Sequence, residues 1–144
     1  MTSSFTLNML LKNEKHFLGC FHVKKLPLYR LKTPVSLIIY INKHWVSIVL
    51  VNKDCCLYFD SFGEGIQNKK LIRYLKAVYK KITFNKKKIQ HDTSRKCGIF
   101  CMLFVTLVKN RQNFKKFLHL FDKNNLLIND HILYHILVNK NKPT

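Results

Sequence analysis

Over 144 residues, Lys and Arg number 26 against 7 acids, a formal net charge of +19. The length suits about one domain, 1–144, with no room for a second core. An apolar share of 47% excludes disorder of the whole chain.

Residues 1–11 lack a charged stretch followed by a sustained apolar core, so a secretory signal is not expected. Val35–Ile41 is rich in β-branched and aromatic residues and predicts a strand, and 45–51 predicts another, with Asn42-Lys43 between them. Asn52-Lys53-Asp54 reads as a turn, and 55–60 returns as a third strand. The two later strands form a hairpin that sets His44 and Asp60 at neighbouring strand ends. After the Gly63-Glu64-Gly65 break, residues 66–81 read as a helix, because Leu71, Leu75, Val78 and Ile82 recur at spacings of four, three and four. Its opposite face carries Lys69, Arg73, Lys76 and Lys80. A strand is predicted over 82–90, with the run Lys86-Lys87-Lys88 in or beside it. Thr93-Ser94 then supplies turn or N-cap chemistry before an apolar helix over 97–109. Two further amphipathic helices are predicted near 113–122 and 130–139. Strands, helix, strand, helices is the order of an α+β domain: a small central β-sheet with flanking helices.

The charge has two readings. Lys, Asn, Ile and Phe are abundant and Arg is scarce, which codon bias explains in part. Glu occurs only at Glu14 and Glu64, however, and so lopsided a balance favours a polyanion partner such as nucleic acid. Five cysteines (Cys20, Cys55, Cys56, Cys97 and Cys101) are an odd set with an adjacent pair, which argues against a secreted disulfide framework. None is spaced C-x-x-C, so a zinc site is not expected. The longest apolar run, IFCMLFVTLV, is too short to span a bilayer. A soluble protein of a reducing compartment is the expectation, without membrane association.

Cys97 stands at the predicted N-terminus of the buried helix, before Gly98 and after the basic pair Arg95-Lys96. Both surroundings stabilise a thiolate, the nucleophilic form. The alternative is a structural cysteine, which is how Cys101, one turn further in, reads. A thiolate nucleophile needs an acid for the leaving amine, normally a His oriented by a carboxylate or amide. Of seven histidines, His44 alone sits at a strand edge followed by Trp45, opposite a strand that ends in Asp60.

His44-Trp45, then Tyr58-Phe59-Asp60-Ser61-Phe62-Gly63, then Gln90 followed after six residues by Cys97-Gly98-Ile99-Phe100-Cys101, resembles the adenovirus endopeptidase family. That family is distantly related to the SUMO-deconjugating proteases. Phe17-Leu18-Gly19 also resembles its opening segment, so the similarity runs over 17–104. The order His, acid, Gln, Cys differs from papain, where the cysteine comes first. The resemblance implies a cysteine endopeptidase with Cys97 as nucleophile, His44 as base and Asp60 as orienter. It further implies that Gln90, with the Cys97 backbone N–H, stabilises the oxyanion. A fixed donor beside a helix N-terminus suits the charge that develops there. Trp45 resembles the wall of a narrow groove that favours glycine beside the scissile bond; its other reading is core packing. Asp60 stands where adenovirus enzymes usually carry Glu, as in the SUMO proteases. Lys80-Lys81-Ile82 stands where the adenovirus enzyme has the cysteine that tethers an activating viral peptide, so no such peptide is identified here.

Three functions follow as expectations. The first is a viral or transposon maturation protease that cuts capsid or core precursor proteins at glycine-containing sites. Host nucleus and virion would be its location, no cofactor would be required for the chemistry, and DNA bound by Lys69, Arg73, Lys76 and Lys80 would activate it. The second is a deconjugase for a ubiquitin-like tail, and the third a catalytically dead, basic nucleic-acid-binding protein. His131 and His135 lie four apart, but Ile132 replaces the Glu of the metalloprotease pattern, so no metal site is expected.

Overall fold

The computed structural model describes residues 1–27 and 29–140; residue 28 and residues 141–144 of the expected 1–144 domain lie outside the described residues. In chain order come α1 (Ser4–Leu10), β1 (Phe17–His22), β2 (Val35–Ile41), β3 (His44–Asn52), β4 (Cys55–Phe59), α2 (Lys69–Val78), β5 (Lys81–Phe84), α3 (Cys97–Leu107), α4 (Arg111–His119) and α5 (Asn129–Lys140). The strands make one five-stranded sheet in sequence order, parallel at both outer pairs and antiparallel between β2, β3 and β4. This is the α+β class with a helix-flanked sheet that the order of elements predicts.

Asn42 and Lys43 join β2 to β3 in a tight turn with φ of 50° and 61°. Positive φ at both central residues matches the twist of a two-residue hairpin, and Asn tolerates it well. Ile41 therefore pairs with His44, and Ser47 pairs with Phe59. The start of β3 comes to lie beside the end of β4, the juxtaposition on which the site depends.

Side chains alternate between two buried faces. Ile38, Trp45, Val49, Leu57 and Phe59 face α1, α3, α4 and α5. There Phe59 stacks on Phe104 at 5.0 Å between ring centroids and meets Phe117 edge-on at 5.3 Å. The other face sets Leu37, Ile39, Val46, Ile48 and Leu50 against Leu71 and Leu75 of α2.

Several boundaries move. The helix expected over 66–81 starts after Asn68, whose side chain accepts from Leu71 N, and gives way at Tyr79, which is extended. Lys80 therefore lies beyond the helix rather than on its face. The strand expected over 82–90 pairs only as far as Phe84, because Asn85 turns to bond the backbone of Asp60. The α3 N-cap position is Lys96, with no side-chain cap. Ser94, instead of capping the helix, accepts from Lys96 N at 3.2 Å and donates to Asp130. The helix expected at 113–122 begins earlier, at Arg111, because Asn110 caps it through Asn113 N. α1 and β1 were not anticipated: α1 buries Leu7 alone, and β1 has no alternating burial. Among the described residues, no helix is long and apolar enough to cross a membrane.

Candidate active site

His44, Asp60 and Cys97 come from the first residue of β3, the residue after β4 and the first residue of α3. His44 Nε2 lies 2.7 Å from Asp60 Oδ1. Asp60 is only 4% exposed and is held on several sides. Its Oδ1 also accepts from Phe62 N at 2.9 Å, and its Oδ2 accepts from Glu64 N at 3.3 Å. Asn85 grips its main chain: Asn85 Nδ2 donates to Asp60 O at 2.6 Å, and Asp60 N donates to Asn85 Oδ1 at 3.0 Å. The Phe62 ring stacks on the His44 imidazole with centroids 4.5 Å apart. The carboxylate is thus fixed before it orients anything, which preserves imidazole geometry at little entropic cost.

The Cys97 thiol is the other group that acts on the imidazole. Burial works against the imidazolium, but the bonds to Asp60 and Cys97 outweigh it, and the His44 pKa rises to about 9. Burial likewise works against the Cys97 thiolate. The His44 bond and the backbone N–H groups of Trp45 and Gly98 overcome it and lower the thiol. The other four cysteines move the opposite way. Burial pushes Cys20 to about 12, raises Cys55 and Cys56, and drives the fully buried Cys101 far up. All five thiols are free.

Gly98 allows α3 to start this close to the hairpin. A Cβ there would stand 3.2 Å from both Thr2 Cβ and Trp45 Cδ1, and 3.3 Å from Leu7 Cδ1. Trp45 is 6% exposed, and its Nε1 donates to Thr2 O at 2.9 Å, so it packs as core. Its rim still borders a cleft of about 410 Å³ with Thr2, Cys20, His22 and Tyr40. On the other side, His44, Asp60, Phe62, Glu64 and Gln67 line a polar cleft of about 210 Å³.

Gln90 is buried, 1% exposed, and none of its side-chain bonds goes to His44 or Cys97. Its Oε1 accepts from Ser61 Oγ at 2.5 Å, and its Nε2 donates to Ser94 O at 3.0 Å and Ser94 Oγ at 3.2 Å. Its backbone N–H and that of Ile89 both donate to Ser61 O. Gly63 allows the approach of the preceding loop: its φ is 68°, and a Cβ would meet the Lys87 carbonyl carbon at 2.7 Å. Residues 61–63 thereby carry Gln90 on the same turn that follows Asp60.

Lys69, Arg73 and Lys76 are exposed on the outer face of α2, and Lys80 is exposed just past its end. The ion pairs among the described residues are His44–Asp60, Lys88–Asp92 and Lys109–Glu14, so none of the four is paired. No three His, Cys, Asp or Glu side chains converge as a metal site among the described residues.

Sequence reading gave no role to Asn85, Ser61 or Phe62. Asn85 is one asparagine among many, and no spacing marks it as the partner of a backbone twenty-five residues away. Ser61 and Phe62 adjoin Asp60, and that adjacency to a candidate acid is the signal that could have found them. Compared with models of known protein families and with curated proteins, the chain matches none.

Proposed function

We propose that the chain is a cysteine endopeptidase in which Cys97 is the nucleophile, His44 the acid–base and Asp60 its orienter. The observation that carries this reading is the bond of 2.7 Å between His44 and the buried Asp60 carboxylate, with Cys97 as the first residue of α3; the shifts agree with it. Cys97 alone of five thiols is lowered, and it is bonded to a histidine raised to about 9. The pair therefore favours the thiolate–imidazolium form more than free side chains would. The thiolate attacks the scissile carbonyl carbon, and the C=O electrons move onto oxygen. The oxyanion collapses as His44 gives its proton to the departing amine, which leaves a thioester on Cys97. Water, deprotonated by His44, then hydrolyses the thioester and restores the thiol. Oxyanion stabilisation is assigned to the Cys97 backbone N–H; the resemblance would add the Gln90 amide, which must first give up one of the two bonds its Nε2 makes to Ser94.

The substrates proposed are viral capsid or core precursors cut at glycine-containing sites, in the host nucleus or virion, with DNA as an activating cofactor. Labelling with a peptide vinyl sulfone ending in glycine, followed by mapping of the modified residue, tests the reading. Alkylation of Cys97, lost in His44→Ala, is expected. Modification at Cys20 instead, or no labelling, would overturn it, and no labelling together with DNA binding would leave the dead-enzyme alternative.

A further inference from the structure

Lysines from three stretches of chain meet around one cleft of about 180 Å³. Lys86 and Lys87 come from the segment that follows β5, Lys115 from α4 and Lys123 from the loop beyond it. All four are exposed, and His119 stands one helical turn from Lys115 on the same rim. The buried side chains of Asn85 and Ile89 lie beneath. No acid lines the cleft, and the ion pairs among the described residues involve none of its lysines. Asp122, next to Lys123 in sequence, turns its carboxylate to the backbone N–H groups of Asn124 and Asn125. The gathering is local. The clefts beside His44, Trp45, Leu11 and Leu71 have no Lys or Arg in their walls, although the chain carries 26 of them.

Like charges around a concave wall repel one another, and an anion that enters relieves the repulsion. Ammonium groups bind phosphate as point charges without a fixed fork, so several lysines suit several phosphate groups. A concave space of this size encloses a compact anion, whereas a duplex would touch only its rim.

The wall that carries Lys86 and Lys87 also holds the turn after β4. Asn85 Nδ2 donates to Asp60 O at 2.6 Å and to Lys87 O at 3.2 Å, and Asp60 N donates to Asn85 Oδ1 at 3.0 Å. Ile89 N donates to Ser61 O at 2.9 Å. Between these bonds the Lys87 backbone rests on Gly63 so closely that a Cβ there would meet it at 2.7 Å. Two of the four lysines therefore sit on the stretch of chain that fixes Asp60.

We infer that this cleft binds a compact polyphosphate anion, and that the bound anion steadies residues 85–89 and through them the Asp60 turn; the consequence for catalysis rests on the cysteine-peptidase reading above. A ligand that binds only the closed segment stabilises it by mass action, and the Asp60 turn opens and closes with that segment because they share these bonds.

The test titrates the full chain with inorganic tripolyphosphate by calorimetry at physiological ionic strength. One anion per chain is expected. Lys86→Gln with Lys87→Gln, and separately Lys115→Gln with Lys123→Gln, should each weaken binding roughly tenfold or more, since each pair removes two charge-assisted contacts. Lys69→Gln with Lys76→Gln removes the same charge from α2 and should change the affinity by less than about twofold, because screening confines the effect of a distant charge. Equal weakening by the α2 pair would reduce the effect to net charge and overturn the site, as would an absence of binding. A single-stranded oligonucleotide is the second ligand, and its binding without any binding of tripolyphosphate would overturn the compact anion in favour of an extended polymer. Hydrogen exchange reads the coupling. Amides of residues 60–63 and 85–89 should exchange more slowly with tripolyphosphate in the wild-type chain, and not in Lys86→Gln with Lys87→Gln. Unchanged exchange over 60–63 would overturn the link to Asp60. If the wild-type chain cleaves no peptide, the peptidase reading fails, while titration and exchange still decide the site.

Discussion

Helices α3 and α2 cover opposite faces of one sheet and are built on opposite terms. α3 is apolar on nearly every side, with eight of its eleven residues buried, and its first residue is Cys97. α2 buries only Leu71 and Leu75 and turns Lys69, Arg73 and Lys76 to solvent. A helix enclosed by core cannot shift without disturbing many contacts, so the groups at its N-terminus are held to the geometry that covalent chemistry requires. A helix with a narrow apolar stripe can change its outer face at little cost to the fold, which suits contact with a polymer that demands charge but not registry. The contrast recurs within α3 itself. Cys97 and Cys101 are one turn apart, yet the first thiol is lowered by His44 and backbone N–H groups and the second is driven up by burial.

The sharpest break of that contrast exchanges the two cysteines' fates. Cys97→Ala should abolish peptide cleavage with little loss of fold, since a small methyl replaces a small thiol. Cys101→Ala should retain turnover while losing about 1–2 kcal/mol of stability through a small cavity. Cleavage assays beside denaturant melts check both. Wild-type cleavage by Cys97→Ala would remove the nucleophile from the account.

Asp60→Asn comes next, with an expected loss about 10²-fold smaller than that of Cys97→Ala, because orienting an imidazole is secondary to supplying the nucleophile. It also carries a pH signature. The proposed mechanism needs the Cys97 thiolate and the His44 imidazolium together, so kcat/KM should rise with pH as the lowered thiol ionises and fall as His44 deprotonates near pH 9. The Asp60 carboxylate favours the charged imidazole; without it the His44 pKa drops, and the alkaline limb should move to lower pH. A limb that stays in place would assign the proton to another group.

Gln90→Ala should lower kcat by about 10²–10³ while KM changes little. Increased KM at constant kcat would instead make Gln90 a ground-state contact. His44, Asp60 and Cys97 were legible because each sits beside an element boundary that pattern alone predicts, and the hairpin brings two of them together. Gln90 was singled out only through the resemblance, and its role is a proposal. Its surroundings were not legible, because the bonds Asn85–Asp60, Ser61–Gln90 and Ser94–Asp130 span 25 to 36 residues of chain. Such bonds leave no periodicity. α1 escaped notice for a related reason: at seven residues with one buried side chain, it has too short an apolar pattern to detect. The over-long α2 came from counting Ile82 into a helical repeat, although that residue belongs to β5, where it pairs with Cys56.

The smallest expected effect lies on the α2 side and tests whether its charge does anything. Lys69, Arg73, Lys76 and, past the helix end, Lys80 are exposed and have no acidic partner among the described residues. They should bind DNA without sequence preference through its phosphates, with release of condensed counterions. If all four neutralise phosphates, log Kobs should fall with log salt at a slope of about −3.6 from these contacts. Arg73→Glu with Lys76→Glu removes two of them and should flatten that contribution to about −1.8. Because α2 packs on the sheet face away from Cys97, cleavage without DNA should be unaffected, and only the stimulation by DNA should disappear. Fluorescence anisotropy across a salt series, paired with cleavage rates with and without DNA, measures both. Salt-independent binding, or wild-type cleavage indifferent to DNA, would separate the basic face of α2 from the chemistry of α3 and leave its charge a matter of solubility.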